Sequence, residues 1–155
     1  MKKNITTLCI VHQDDKILIG MKKRGFGVGR WNGFGGKVKP NETIEEAAVR
    51  EMREEANIEI LDLEKLGVID FKFETSGEEI EVNIFKSTNF SGTPSESEEM
   101  RPQWFPVNEI PFGEMWTDDE FWMPMFLTGK KFRGRFVFGK QDVILEKELR
   151  EVEKV

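Results

Sequence analysis

Apolar positions alternate with period two through much of the chain. Ile5–Val11 and Lys16–Lys23 are apolar-rich runs parted by Asp14-Asp15, which reads as two strands joined by a tight turn. Lys65–Glu74 alternates with Ile69, Phe71 and Phe73 on one face, and Glu79–Phe85 with Ile80, Val82 and Ile84 on one face; Ser76-Gly77 makes the pair a hairpin. Gln103–Val107 and Phe132–Phe138 read as further strands. A helical period takes over at Ile44–Ala56, where Thr43 as N-cap and Glu46 three residues on form a capping box. Thr117-Asp118-Asp119-Glu120 repeats that pattern ahead of a second helix, Phe121–Leu127, and acidic residues in a first turn suit the helix dipole. Pro124 is expected to limit or kink it. Asp142–Val155 fits either a strand or an amphipathic helix. No repeat, linker or low-complexity tract interrupts residues 1–155, so one domain is expected: a compact α/β (α+β) unit with a mixed sheet and a helix on each side.

On a wheel of about 100° per residue, Ile44, Ala47, Ala48 and Met52 make the inward arc of the first helix. Glu51, Glu54 and Glu55 fall inside or beside the same arc, whereas Glu45, Glu46, Arg50 and Arg53 point elsewhere. Like charges one turn apart destabilise a helix, and burying one unpaired costs more. A divalent cation resolves the conflict, since clustered hard oxygens suit Mg²⁺ and a substrate's phosphates. The competing reading is a charged surface helix with a ragged apolar stripe. Gly33, Gly35 and Gly36 just upstream favour the cation, because glycines let backbone approach a metal or phosphate closely.

Composition narrows the partners. A chain of 155 residues, 38% hydrophobic with 13 Phe and 4 Trp, can bury an ordinary core. Its net charge of −6 argues against affinity for a nucleic-acid backbone, though a local cation or Lys can still receive an anionic small molecule. The one cysteine, Cys9, leaves no internal disulfide and reads as a small core residue. No signal peptide or membrane-length run is visible, so a cytoplasmic setting without a membrane partner is expected, with a monomer as the default. The lone His12 has no evident partner.

Several polar residues carry two readings. Thr7 is a strand threonine or a pocket residue. Lys22-Lys23-Arg24 is a solvated strand end or a meeting point for a triphosphate. Asn32, in the run Trp31-Asn32-Gly33-Phe34, holds a turn or reads a base edge. Phe71 and Phe73 are core or a ligand platform. Glu98 or Glu99, closing the polar loop Asn89–Glu98, is an ordinary surface acid or a further metal ligand.

The spacing Gly36, Glu42, Arg50-Glu51-Met52, Glu54-Glu55, Asn57-Ile58 resembles the signature box of the Nudix hydrolases, over residues 36–58. One position departs: Asn57 stands where the box has Gly. That site follows the helix and calls for a left-handed backbone, for which Asn is the usual second choice. The runs MKKRGFGVGRWNGFGGKV (Met21–Val38), GTPSESEEMRP (Gly92–Pro102) and MWTDDEFW (Met115–Trp122), with FRGRFVF and the C-terminal LREVEKV, extend the likeness over nearly the whole chain. They resemble the branch that hydrolyses oxidised purine nucleoside triphosphates such as 8-oxo-dGTP and 2-hydroxy-dATP.

The resemblance implies the Nudix sandwich fold and a strand near the C terminus. It implies that the Gly35 carbonyl with Glu51, Glu54, Glu55 and Glu99 binds Mg²⁺ or Mn²⁺, and that Arg50 orients a box glutamate. Lys22 and the backbone around Gly36 and Lys37 would meet the phosphates; Thr7, Asn32, Phe71, Trp116, Asp118 and Asp119 would serve the base, and Phe34 would also touch the substrate. Ile80 stands where that branch has Met, so the pocket shape differs there. The implied reaction is hydrolysis of a phosphoanhydride to nucleoside monophosphate and pyrophosphate, one box glutamate taking a proton from water. Two adjacent carboxyls at the base would share a proton and present both donor and acceptor. Other readings are a Nudix enzyme for methylated purine triphosphates or dinucleoside polyphosphates, and a non-catalytic nucleotide-binding module. A cap-removing or RNA-binding member fits poorly with the net charge.

Overall fold

A computed structural model describes residues 3–155. In chain order it contains β1 (Asn4–Gln13), β2 (Lys16–Lys22), β3 (Trp31–Asn32), α1 (Ile44–Ala56), β4 (Glu59–Ile60), β5 (Glu64–Phe73), β6 (Glu79–Ser87), β7 (Phe90–Ser91), β8 (Met100–Pro106), α2 (Asp119–Leu127), β9 (Lys131–Phe138) and β10 (Ile144–Val152). The main sheet runs β10-β9-β5-β6-β1-β2-β3, with β8 also on β2. The β1–β6 and β5–β9 pairs are parallel and the rest antiparallel, so the sheet is mixed.

Alternation along β1 divides the core in two. Ile10, with Ile17 and Ile19 of β2, faces Trp122, Met123 and Phe126 of α2. Cys9 and Val11, with Leu18, face Ala48, Met52 and Ala56 of α1. The expected helix on each side of a mixed sheet is therefore what forms. α1 keeps its expected bounds because its start is encoded locally: the Glu46 N–H donates to Thr43 Oγ1 at 3.0 Å, and the Thr43 N–H donates to Glu46 Oε1 at 2.8 Å. Asn57 ends it in the left-handed conformation, at φ 60°.

Some expectations change and some open alternatives close. The second helix starts at Asp119, and Thr117 does not cap it; the Thr117 hydroxyl donates instead to the Asp142 carbonyl at 3.0 Å. Asp118 and Asp119 are buried rather than displayed on an exposed first turn. Pro124 lies inside the helix, which ends at Leu127 as expected. β8 begins at Met100, three residues early, because its pairing with β2 extends to Lys22. The ambiguous C-terminal segment is a strand, drawn into the sheet by antiparallel pairing with β9. Among the described residues, no helix is long and apolar enough to cross a membrane.

Candidate active site

The site is built where the loop after β3 is pressed between β1 and α1. Thr7 and Cys9 of β1 pair with this loop through Thr7 N–H to Gly36 O at 2.9 Å and Phe34 N–H to Cys9 O at 3.0 Å. The approach is close enough to exclude side chains. A Cβ on Gly35 would lie 1.8 Å from the Thr7 carbonyl oxygen, and one on Gly36 would lie 2.8 Å from Glu51 Oε1. Packed this way, the Gly35 N–H donates to Glu55 Oε1 at 2.9 Å.

Glu55 is only 4% exposed. Burial pushes its carboxyl up to about 8, and the nearby charges of Glu51 and Glu99 add to that, against the Gly35 N–H and Lys22. Arg50 organises the flank. It donates to Glu42 at 2.7 and 3.0 Å, Glu51 at 2.7 Å, Glu54 at 3.1 Å and the Lys37 carbonyl at 3.1 Å. Its guanidinium holds Glu42 down to about 2. Glu54 is the outermost of the three box glutamates, with half its side chain exposed. Across the loop, Lys22 Nζ donates to Glu99 Oε2 at 2.9 Å, and Arg24 Nε to Glu99 Oε1 at 3.1 Å.

Among the described residues, no three acidic, His or Cys side chains already converge on one point. Arg50 holds Glu51 and Glu54, and Lys22 with Arg24 holds Glu99. The donor set nonetheless fits a hard divalent ion. A carboxyl raised first by burial and further by two like charges is what such an ion relieves, and the remaining side-chain donors are carboxylates.

Beside these groups lies a cavity of about 490 Å³. Lys22, Gly35, Gly36, Lys37 and Glu55 line it, as do Thr7, Asn32, Phe71, Trp116, Asp118 and Asp119. Eleven expected site residues therefore share one cavity, while Arg50, Glu51, Glu54 and Glu99 flank it. Thr7 Oγ1 is buried with no hydrogen-bond partner. Asn32 fills both of its readings, since it lines the cavity and its Oδ1 accepts from the Gly33 N–H at 2.9 Å. Phe34 is a correction. Its ring is fully buried with Cys9, Val11 and Leu18 on the α1 side, so it supports the glycine loop from below and does not line the cavity.

One wall is aromatic. Trp116 lies 5.1 Å from Phe26, 6.2 Å from Phe73 and 6.0 Å from Phe138 between ring centroids. Phe26 and Phe138 were not anticipated as site residues. The one available signal was Phe26 itself, an aromatic between glycines in a turn where no core is near. It is 64% exposed, yet it caps the Trp116 wall.

The carboxyl pair completes the cavity. Trp122 Nε1 donates to Asp118 Oδ2 at 2.8 Å, while Asp119 Oδ2 is buried without a partner. Burial raises both carboxyls. Asp119 goes well above the ordinary range, pushed further by the Asp118 charge, while the Trp122 N–H opposes the rise at Asp118. Two buried carboxyls side by side resist ionising together, so the pair is suited to holding one proton between them.

A model described as NUDIX domain matches residues 2–126. The chain is 54% identical over 147 residues to the mouse (Mus musculus) oxidized purine nucleoside triphosphate hydrolase, covering 95% of this chain and 94% of the relative. It is 52% identical over 149 residues to the zebrafish (Danio rerio) protein of the same name, covering 96% of each. A crystal structure of a MutT protein from Bacillus halodurans superposes with a TM-score of 0.84 at 26% identity, over 94% of this chain and 97% of that one.

The Asp119 geometry fixes the sign of a pH effect. An acid whose folded pKa is raised lets the unfolded chain release its proton first. Its contribution is therefore complete below the unfolded value of about 3.9 and declines as pH rises toward the folded value. Asp119→Asn removes that loss, so its stability relative to wild type should grow between pH 5 and pH 8. Urea unfolding at both pH values measures the gap, and a pH-independent gap would contradict the assignment.

Proposed function

The chain belongs to the Nudix family, and on that premise we propose that it hydrolyses oxidised purine nucleoside triphosphates, such as 8-oxo-dGTP and 2-hydroxy-dATP, to the monophosphate and pyrophosphate. The observation that carries this reading is the cavity itself. It joins a proton-bearing carboxyl pair and an indole to the glycine loop and the buried Glu55. The mouse and zebrafish relatives named for that activity cover nearly the whole chain.

Each group has a task in this reading. Trp116 stacks on the purine. Asp118 and Asp119 share one proton, so the pair offers both a donor and an acceptor to the edge of a base. An oxidised guanine and an oxidised adenine present different proton patterns, and a pair that can relocate one proton serves either. Lys22 and the backbone of Gly36 and Lys37 face the phosphates. Glu51, Glu54, Glu55 and Glu99, with the Gly35 carbonyl, hold Mg²⁺ or Mn²⁺. When bound, that ion offsets phosphate charge and makes a water more acidic. One of Glu51, Glu54 and Glu55 takes the proton of the attacking water. Arg50 is a positioning residue, since its bonds to Glu42, Glu51 and Glu54 fix the carboxylates relative to the loop. We take residues 1–155 to work as one cytoplasmic domain and as a monomer on free nucleotides, without nucleic acid or membrane.

Pyrophosphate release with Mg²⁺ from 8-oxo-dGTP, 2-hydroxy-dATP, dGTP and dATP, measured side by side, tests the substrate. Strong preference for the two oxidised nucleotides is expected; equal turnover of all four, or turnover of methylated purines alone, would remove the assignment. Asp119→Asn fixes one donor pattern, so it should change the ratio of 8-oxo-dGTP to 2-hydroxy-dATP turnover. An unchanged ratio would sink the shared-proton account.

A further inference from the structure

Trp116 precedes α2 in a loop, and its backbone alone does not fix the plane of its ring. A group that does not line the cavity packs on that ring. The Arg30 guanidinium carbon sits 4.1 Å from the centroid of the Trp116 ring. Arg30 Nη2 is bonded to Asp142 Oδ2. Asp142 in turn accepts, through its carbonyl, the hydroxyl of Thr117, the residue next to Trp116, at 3.0 Å. The segment that presents Asp142 turns sharply between β9 and β10, with Gln141 at φ 54° and Asp142 at φ 60°. Arg30 also anchors the glycine turn that carries Phe26: its N–H donates to the Gly27 carbonyl at 3.2 Å, and its carbonyl accepts from the Lys22 N–H at 3.0 Å.

Three distant segments thus meet around one indole: the turn 25–30 on the ring itself, the loop 115–118 that carries it, and the turn 140–142 through Arg30 and Thr117. Besides its Nη2 bond to Asp142 the guanidinium offers its face and its charge, and among the described residues Arg30 Nη1 is buried without a hydrogen-bond partner. Its charge also reaches the carboxyl pair, lowering both Asp118 and Asp119 against their burial.

We propose that the Arg30–Asp142 ion pair is a clamp that fixes the Trp116 indole as a preformed stacking platform, making both residues positioning residues for the purine base. The proposal rests on the reading of Trp116 as the base platform. A platform fixed in advance does not have to be ordered when the base arrives, so the clamp acts on binding rather than on the chemical step. The guanidinium face supplies the contact, which a lysine ammonium lacks.

Asp142→Asn is the sharp test, because Asn tolerates a left-handed backbone and the turn survives while the charge is lost. Expected are a kcat near wild type and a KM for 8-oxo-dGTP raised about 2- to 30-fold, the span of a cation–π contact. The Kd for 8-oxo-dGMP, measured by calorimetry, should rise by the same factor. Labelling the 4 tryptophans with 5-fluorotryptophan should show the Trp116 signal, assigned by Trp116→Phe, shifted or broadened while the other signals hold. A lowered melting temperature with unchanged KM, Kd and Trp116 signal would reduce the pair to a structural tie and overturn the proposal. Should Asp142→Asn fail to fold, Arg30→Lys decides. A raised KM with a displaced Trp116 signal supports the clamp, and wild-type values for both overturn it. Wild-type protein that binds no 8-oxo-dGMP would remove the platform reading and the clamp with it. Wild-type binding that Asp142→Asn leaves unchanged would remove the clamp alone.

Discussion

Carrying a carboxylate into a protein interior costs several kcal/mol unless it is paired or hydrogen-bonded, and Glu55 is carried there at the last turn of α1. Its one backbone donor is the Gly35 N–H, which reaches it only because the glycine loop touches β1 and α1 at once. That contact sets much of what surrounds it. Side chains are excluded at residues 35 and 36, and Glu51 is forced against the loop. Arg50 is left to gather Glu42, Glu51 and Glu54 on the flank. A helix evolved for stability alone would have an apolar residue at position 55. The strain of keeping an acid there, beside the charges of Glu51 and Glu99, is what a divalent ion would discharge.

The cavity couples this charged corner to a second buried acid problem. Asp118 and Asp119 escape mutual repulsion differently, by keeping a proton and by borrowing the Trp122 N–H. The two buried acid problems, Glu55 at one end and Asp118 with Asp119 at the other, open on the same space. The aromatic wall between β5, β9 and Trp116 closes that space with faces rather than hydrogen bonds. It suits a flat ring whose polar edge is read elsewhere.

How much of this could be read from the sequence depended on how local each signal was. α1 was legible to the residue because its cap, its apolar arc and its left-handed exit at Asn57 all lie within one short stretch. β10 was not, because its pattern suits strand or helix and only its pairing with β9 decides. Asp118 and Asp119 read equally as an exposed first turn, since their burial comes from the sheet and from Trp122, not from neighbours in the chain. Phe34 sits between cavity residues in sequence, but strand-like alternation turns its ring to the opposite side. Phe26, Arg30 and Asp142 have meaning only together, through contacts between segments far apart in the chain, and no local pattern marks them.

The central claim is that the Glu55 corner and the Trp116–Asp119 pocket are two ends of one substrate site. A crystal structure of the protein soaked with Mn²⁺ and 8-oxo-dGMP tests it most directly, because the anomalous signal of manganese locates the ion independently of any model. The account predicts manganese on the Glu51 and Glu55 carboxylates and the Gly35 carbonyl, with the purine stacked on Trp116 and its edge on Asp118 and Asp119. Manganese bound elsewhere, or a base lying outside the aromatic wall, would contradict it.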